Sequence, residues 1–127
     1  MSIVIAEESV IKQVLDAAFT VHKEFGPGLL ENVYEKALLI ELKNCGLNVK
    51  PQQEVPVRYR GEQLGVAYRA DLIVEDSLLV ELKCVDKLAN LHIAQTMTYL
   101  KLLNFKRGLL INFNSTLLKN GIKRISI

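Results

Sequence analysis

Leu78-Leu79-Val80-Glu81-Leu82-Lys83-Cys84-Val85 is an apolar run interrupted by one acid and one base. A short continuous apolar run between turn signals is typical of a strand that lies inside a sheet. Residues two apart in a strand project to the same face, so Glu81 and Lys83 share one side and Leu82 points to the other. Because the run is too apolar for an edge strand, we expect its two charged residues to lie in a cleft.

Two amphipathic helices are predicted ahead of this strand. Apolar residues recur at spacings of three and four from Ser9 to Phe25, and Gly26-Pro27-Gly28 ends that helix. A second helix is predicted from about Leu30 to Asn44, with Gly46 just past its end. The apolar spacing then becomes alternating, which predicts a β-meander with strands over residues 55–59, 64–74 and 78–85.

A third helix and two strands are predicted after the meander. Asn90 can cap the helix, residues 108–113 form a buried strand, and residues 122–127 form a shorter one. The helix between the central strand and residues 108–113 implies a crossover. The predicted fold class is therefore α/β, a central mixed β-sheet flanked by helices in the order α, α, β-meander, α, β, β. With no linker or repeat, residues 1–127 are predicted to form one domain.

Composition narrows the class of protein. The chain has 127 residues, 50% of them hydrophobic and 24% charged, with a net charge of +2, which excludes disordered, collagen-like and supercharged proteins. Cys45 and Cys84 are too few for a disulfide framework and fit a reducing compartment, and we expect both to be buried thiols. The N-terminal residues lack the pattern of a signal peptide, and no apolar run approaches the ~20 residues of a membrane span. We expect a cytoplasmic protein without a membrane partner.

Asp71 lies on the strand before the central one and can face Glu81 across the turn. Two acids beside Lys83 in an apolar sheet need compensation, which a divalent cation bound by both carboxylates would supply. Lys83 would then stand beside a metal-bound water. The alternative is an ion pair between Glu81 and Lys83 on a solvated strand face, with Asp71 in an unrelated hydrogen bond.

Three motifs occur in a fixed order: Asp71, then Glu81-Leu82-Lys83, then Gln95-Thr96-Met97-Thr98-Tyr99. This series resembles the D…ExK…QxxxY pattern of the PD-(D/E)XK nuclease superfamily, in its RecB-like branch. Upstream, Gly28-Leu29-Leu30-Glu31-Asn32-Val33-Tyr34 resembles the signature of the GxxExxY proteins, which are assigned to that superfamily. The similarity extends from about residue 14 to residue 124. One departure is Ala70, which stands where the superfamily pattern has proline.

The resemblance implies a restriction-endonuclease-like core and a role for each matched residue. It implies that Asp71, Glu81 and the main-chain carbonyl of Leu82 bind Mg²⁺ or Mn²⁺, that Glu31 joins them, and that Lys83 acts on the attacking water. Gln95 and Tyr99 would contact the nucleic-acid backbone or orient the lysine; Tyr34 and His92 are weaker candidates. The alternative makes the tyrosines core residues, Gln95 a helix–sheet hydrogen bond and Glu31 a helix-dipole charge. Isolated histidines such as His22 are more often packed or solvated, and Cys84 is expected to be a core thiol.

The predicted function is a Mg²⁺-dependent nuclease acting on nucleic acid, DNA first and RNA as the alternative substrate. The second hypothesis is a non-catalytic module that binds nucleic acid or protein, and the third is a structural homodimer; an oligomer or a protein partner is compatible with the sequence. After Asp86 the chain has no acid, and its bases could attract phosphates near the site or form a solvated surface. These bases are Lys87, Lys101, Lys106, Arg107, Lys119, Lys123 and Arg124.

Overall fold

The computed structural model describes residues 4–127, so the first three residues of the N-terminal segment discussed above lie outside it. The described part of the chain forms α1 (Glu8–Phe25), α2 (Glu31–Asn44), β1 (Val49–Tyr59), β2 (Glu62–Val74), β3 (Leu78–Lys83), α3 (Asn90–Leu103), β4 (Arg107–Asn112), a 3-10 helix (Leu118–Gly121) and β5 (Ile122–Ser126). The predicted element order is confirmed, and the 3-10 helix is an addition to it. No helix within residues 4–127 is long and apolar enough to cross a bilayer.

The five strands form one mixed sheet in the order β1-β2-β3-β4-β5. β3 and β4 run parallel, and every other neighbouring pair is antiparallel. α3 makes the crossover from β3 to β4, as a parallel pair requires. The sheet is flanked by helices, which confirms the predicted α/β class and places β3 in the middle of the sheet.

Each face of the sheet has its own apolar core. Leu78, Val80 and Leu82 of β3 pack in a cluster with residues of α1 and α2, whereas Leu79 packs in a second cluster with residues of α3. By the alternation of a strand, Glu81 and Lys83 lie on the same face as Leu79. The acid and the base of β3 therefore lie on the α3 side of the sheet.

β3 ends earlier than the apolar run predicts, at Lys83 rather than Val85. The side chain of Asn112 forms hydrogen bonds with both main-chain groups of Val85: it accepts the N–H at 3.1 Å and donates to the carbonyl at 2.8 Å. A side chain thus replaces the sheet partner at this end of β3. The first strand is longer than predicted, since β1 begins at Val49, and α3 begins at Asn90 with Ala89 as its N-cap.

The two cysteines differ in environment. Cys45 lies just past the end of α2 and is exposed, so the prediction that both thiols are buried is wrong there. The amphipathic helix has already ended at this position, and nothing turns the residue toward the core. Cys84 is partly buried against the cluster of α1 and α2, on the face opposite Glu81, and burial raises the pKa of its thiol.

Gly121 closes the connection between β4 and β5. A Cβ atom there would lie 2.3 Å from Ser115 Oγ and 2.6 Å from the main-chain oxygen of Asn112. Gly121→Ala must therefore displace main chain, and we expect it to lower the free energy of unfolding by about 1–3 kcal/mol, measured by urea denaturation. Asn120→Ala, at the exposed neighbour, should change it by less than about 0.5 kcal/mol. Equal losses in the two variants would contradict this account.

Candidate active site

β2 and β3 separate where their acids meet. Their main-chain pairing ends at Leu72 with Val80, and the next pair in register would be Asp71 with Glu81. There the Asp71 N–H donates to Glu81 Oε2 at 2.8 Å, and the Leu82 N–H donates to Asp71 Oδ2 at 2.8 Å. Each carboxylate has taken the place of a carbonyl in the ladder. The predicted neighbours Asp71 and Glu81 are therefore brought together and held by reciprocal bonds to main chain.

Negative charge at this point is poorly compensated. Glu81 is only 5% exposed, and burial, followed by the charge of Asp71, raises its pKa from 4.5 to about 8; Lys83 opposes that rise without cancelling it. No ion pair joins Glu81 to Lys83 anywhere in residues 4–127. The solvated ion pair considered as an alternative is thus not formed, and the site favours a further cation or a proton.

The N-terminal turns of α2 bring two more acids close to Asp71. Glu31 is the first residue of α2; partial burial and then the charge of Asp71 raise its pKa, while Lys83 lowers it. Glu35 lies one turn further on, and its pKa is raised by burial first and also by Asp71. Glu31, predicted from the resemblance, thus lies within electrostatic reach of Asp71 and Lys83. The sequence analysis missed Glu35, although its spacing of four from Glu31 places both on one helix face.

Gln52 links Glu35 to Asp71. Its Nε2 donates to Glu35 Oε1 at 2.5 Å and to Asp71 Oδ1 at 3.5 Å. Its main chain has a φ of 50°, a left-handed conformation in the middle of β1. Gln52 stands opposite Asp71 in the sheet. The neighbouring register pairs are Pro51 with Leu72 and Gln53 with Ala70. No periodicity in the sequence signals such a local distortion, so Gln52 could not be found from the pattern.

Tyr34 supports the site from the core rather than lining it. Its side chain is fully buried, and its ring stacks on Phe113 with centroids 4.7 Å apart. Its hydroxyl donates to the carbonyl of Gly26 at 2.5 Å and accepts the N–H of Leu29 at 3.1 Å. The structure therefore places Tyr34 where the core alternative put it. Through these two hydrogen bonds Tyr34 connects the loop before α2 to the core. It thereby helps to position Glu31, the first residue of α2.

α3 brings one of its two predicted residues to the carboxylates. Tyr99 is 6% exposed, and its ring lies 5.3 Å from that of Tyr68 on β2. Burial raises the pKa of Tyr99, and the charges of Glu81 and Asp71 raise it further. Gln95 lies one turn earlier on the same side of α3 and is exposed. Tyr99 thus borders the carboxylates, and Gln95 lies further out on the same helix.

The two histidines are engaged elsewhere. His92 Nδ1 accepts the N–H of Ala89 at 2.9 Å, which caps the start of α3. His22 Nε2 lies 2.8 Å from the carbonyl oxygen of Ser115 and joins α1 to the connection after β4. The structure therefore gives His92, one of the weaker site candidates, a capping role, and it agrees with the expectation that His22 is packed.

The candidate bases of the C-terminal part do not gather at the carboxylates. Arg107 pairs in register with Leu78, at the opposite end of β3 from Lys83, and bonds to Glu8 at 2.9 Å. Lys101 and Lys106 border a separate cavity beside the C-terminal residue of the chain. The structure therefore does not show these three residues gathered at the carboxylates, and their role in binding nucleic acid stays a prediction.

The chemistry of the donors at the centre fits a hard cation. Asp71 and Glu81 offer carboxylate oxygens, and Mg²⁺ favours one or two carboxylates completed by water and substrate phosphate. Within residues 4–127, no group of three or more Asp, Glu, His or Cys side chains is arranged to hold a metal ion. The predicted ligand roles of Glu31 and of the Leu82 carbonyl therefore stay predictions, although the Leu82 N–H bond brings that main chain beside Asp71.

Comparison with known proteins agrees with this geometry. The family model described as the PD-(D/E)XK nuclease superfamily matches residues 8–125, nearly the whole chain. Neither the curated proteins nor the solved structures give a significant match. The five-stranded mixed sheet with flanking helices is consistent with the restriction-endonuclease-like fold of such proteins. The chain belongs to the PD-(D/E)XK nuclease superfamily.

Proposed function

We propose that this protein is a cytoplasmic, Mg²⁺-dependent nuclease that hydrolyses phosphodiester bonds of DNA, with Mn²⁺ as a substitute ion. We further propose that it is one of the GxxExxY proteins of the RecB-like branch. The superfamily suggests nuclease activity. The observation that carries the proposal is the pair of interlocked carboxylates, Asp71 and Glu81, on the same sheet face as Lys83.

Each residue of the site has a distinct role in the proposed reaction. Asp71 and Glu81 hold the ion with the Leu82 carbonyl, and Glu31 adds a carboxylate from α2. When bound, the ion supplies Lewis-acid stabilisation of the phosphate and lowers the pKa of a water. Lys83, as a charged ammonium group, orients the attacking water and offsets charge on the phosphoryl oxygens.

The position of Lys83 supports that proposed role. It is the last residue of β3 and is half-buried, so its side chain lies at the boundary between the carboxylates and solvent. Its charge acts on both Glu31 and Glu81, because it lowers the pKa of each. Tyr99 and the more exposed Gln95 would contact the sugar-phosphate backbone from the α3 side.

A cleavage assay tests the proposal. Purified protein is incubated with end-labelled single-stranded and duplex DNA and RNA, with Mg²⁺, with Mn²⁺ and with chelator. We expect cleavage of DNA that needs the metal and that falls by about 100-fold or more in Lys83→Met. Lys43→Met, on the exposed end of α2, is the matched control and should cleave like the natural sequence. Cleavage that survives Lys83→Met would remove Lys83 from the reaction, and cleavage that survives changes at both Lys83 and Asp71 would point to a contaminant.

The second candidate is a binding module that keeps the fold without turnover. It is favoured by the finding that, within the described residues, no group of three or more Asp, Glu, His or Cys side chains is arranged to hold a metal ion. The same assay separates the two functions, because nucleic-acid binding without cleavage under every metal condition would favour the module.

A further inference from the structure

A cleft of about 510 Å³ opens at the C-terminal ends of β3 and β4, beside the candidate active site. Its walls are residues 86–88, which lead into α3, and residues 115–121, which join β4 to β5. Lys87 and, from β5, Lys123 both line it, and Asn112 is also part of the lining. We call this feature the basic cleft.

The sheet register connects the basic cleft to the carboxylates. Asn112 pairs with Lys83, so the cleft adjoins the end of β3. Glu81 pairs with Leu110, and Leu110 pairs with Lys123 on β5. Two strand spacings separate Glu81 from Lys123, about 10 Å. Lys123 alternates with Ile125, which packs in the α3 cluster, so it lies on the same sheet face as Glu81.

Lys87 and Lys123 are two of the bases that the fold leaves available at this end of the sheet. Arg107, at the other end of β4, and Arg124, which alternates with Lys123 on β5, both bond to Glu8. Lys87 and Lys123 are exposed, and neither has an ion pair within residues 4–127. Asp86 is the one acid in the lining, so the basic cleft keeps a net positive charge; neutral hydrogen-bonding side chains complete it, from Asn112, Ser115, Thr116 and Asn120.

The floor of the basic cleft is held in place by main-chain contacts. Asn112 is 1% exposed, and its amide clamps Val85, which fixes the start of the loop that carries Lys87. The Phe113 N–H donates to the Lys83 carbonyl at 2.9 Å and continues the connection between the strands. A floor held by these hydrogen bonds is already ordered before a ligand binds.

We propose that the basic cleft binds a backbone phosphate of the nucleic-acid substrate, through Lys87 and Lys123. This rests on the proposed function, since it supposes that the scissile phosphate lies over Asp71 and Glu81. Because only about two strand spacings of sheet separate Glu81 from Lys123, the bound phosphate lies within a few nucleotides of the cut. The contact is to backbone and not to bases, so the cleft adds affinity and register without sequence preference.

Binding of labelled single-stranded DNA in the presence of chelator tests this proposal without any cleavage. In the double variant Lys87→Ala/Lys123→Ala, we expect the Kd to rise about tenfold or more at about 0.1 M salt. We also expect the slope of log K against log salt to become shallower by about 1.4, the value for two contacts on a single strand. The control is Lys23→Ala/Lys43→Ala, which removes the same charge from exposed last turns of α1 and α2 and should change the Kd by less than about twofold.

The outcomes separate this inference from the proposed function. Equal losses in the two double variants, an unchanged salt slope in the cleft variant, or no binding by the natural sequence would overturn the phosphate site. If the protein cleaves DNA but the cleft variant binds it as tightly as the natural sequence, only the phosphate site in the basic cleft would be overturned, and the nuclease proposal would stand. Selective loss of binding, with no cleavage in any metal, would uphold the cleft and overturn the nuclease. A parallel series with single-stranded RNA would show which backbone the cleft prefers.

Discussion

Asp71→Asn should leave the protein folded and lower the rate of metal-dependent DNA cleavage by about a thousandfold. The amide oxygen of Asn can still accept the Leu82 N–H that Asp71 Oδ2 accepts at 2.8 Å, so the junction of β2 and β3 is kept. The charge is lost, and with it half of the carboxylate pair that is proposed to hold the ion. The measurement is the single-turnover rate with saturating Mg²⁺, accompanied by the thermal midpoint of unfolding.

Asp76→Asn is the matched control for this change. Asp76 lies in the turn between β2 and β3 and makes an exposed ion pair with Lys50 at 2.7 Å. The same atom replacement in the same hairpin should alter the thermal midpoint little and the cleavage rate not at all. Added Mg²⁺ should raise the thermal midpoint of the natural sequence and of Asp76→Asn but not that of Asp71→Asn. A cleavage rate that Asp71→Asn leaves intact would remove Asp71 from the reaction.

The meeting of Asp71 and Glu81 could be predicted because it depends on local register. A tight turn centred on residue 76 joins two antiparallel strands, and residues equally distant from the turn face one another. Alternation then placed Lys83 beside Glu81. What the pattern does not contain is the reciprocal bonding of carboxylates to main chain, because it arises where two strands separate, and that depends on the rest of the sheet.

The fate of the C-terminal bases could not be predicted because it depends on contacts far apart in the chain. Glu8 binds Arg124 across 116 positions and Arg107 across 99. A count of charges along the sequence gives the excess of bases but not their partners. Arg107 and Arg124 bond to Glu8 of α1, whereas Lys87 and Lys123, which have no ion pair within residues 4–127, line the cleft at the end of β3 and β4.

Glu81→Gln should make the metal-free protein more stable at pH 9 by several kcal/mol while abolishing cleavage. Burial and the charge of Asp71 raise the pKa of Glu81 from 4.5 to about 8. Below the pKa that Glu81 has in the unfolded chain, the folded and the unfolded chain both keep the proton on this carboxyl. Glu81 then does not lower the free energy of unfolding. As the pH rises toward about 8, the unfolded chain releases the proton and the folded chain resists, so the free energy of unfolding falls. Gln carries no such proton, and its amide oxygen can still accept the Asp71 N–H.

The decisive measurement is the free energy of unfolding by urea, with chelator, at several pH values between about 5 and 9. The curves of the natural sequence and of Glu81→Gln should diverge as the pH rises, whereas Glu24→Gln, on the exposed end of α1, should follow the natural curve. If the curve of Glu81→Gln ran parallel to that of the natural sequence, the ionised Glu81 carboxylate would not destabilise the folded protein. Mg²⁺ should narrow the gap, because it binds the ionised pair and leaves the variant unaffected. If Glu81 destabilises the metal-free protein and an added cation removes that effect, the proposal that Glu81 serves the chemistry of the site rather than its stability is supported.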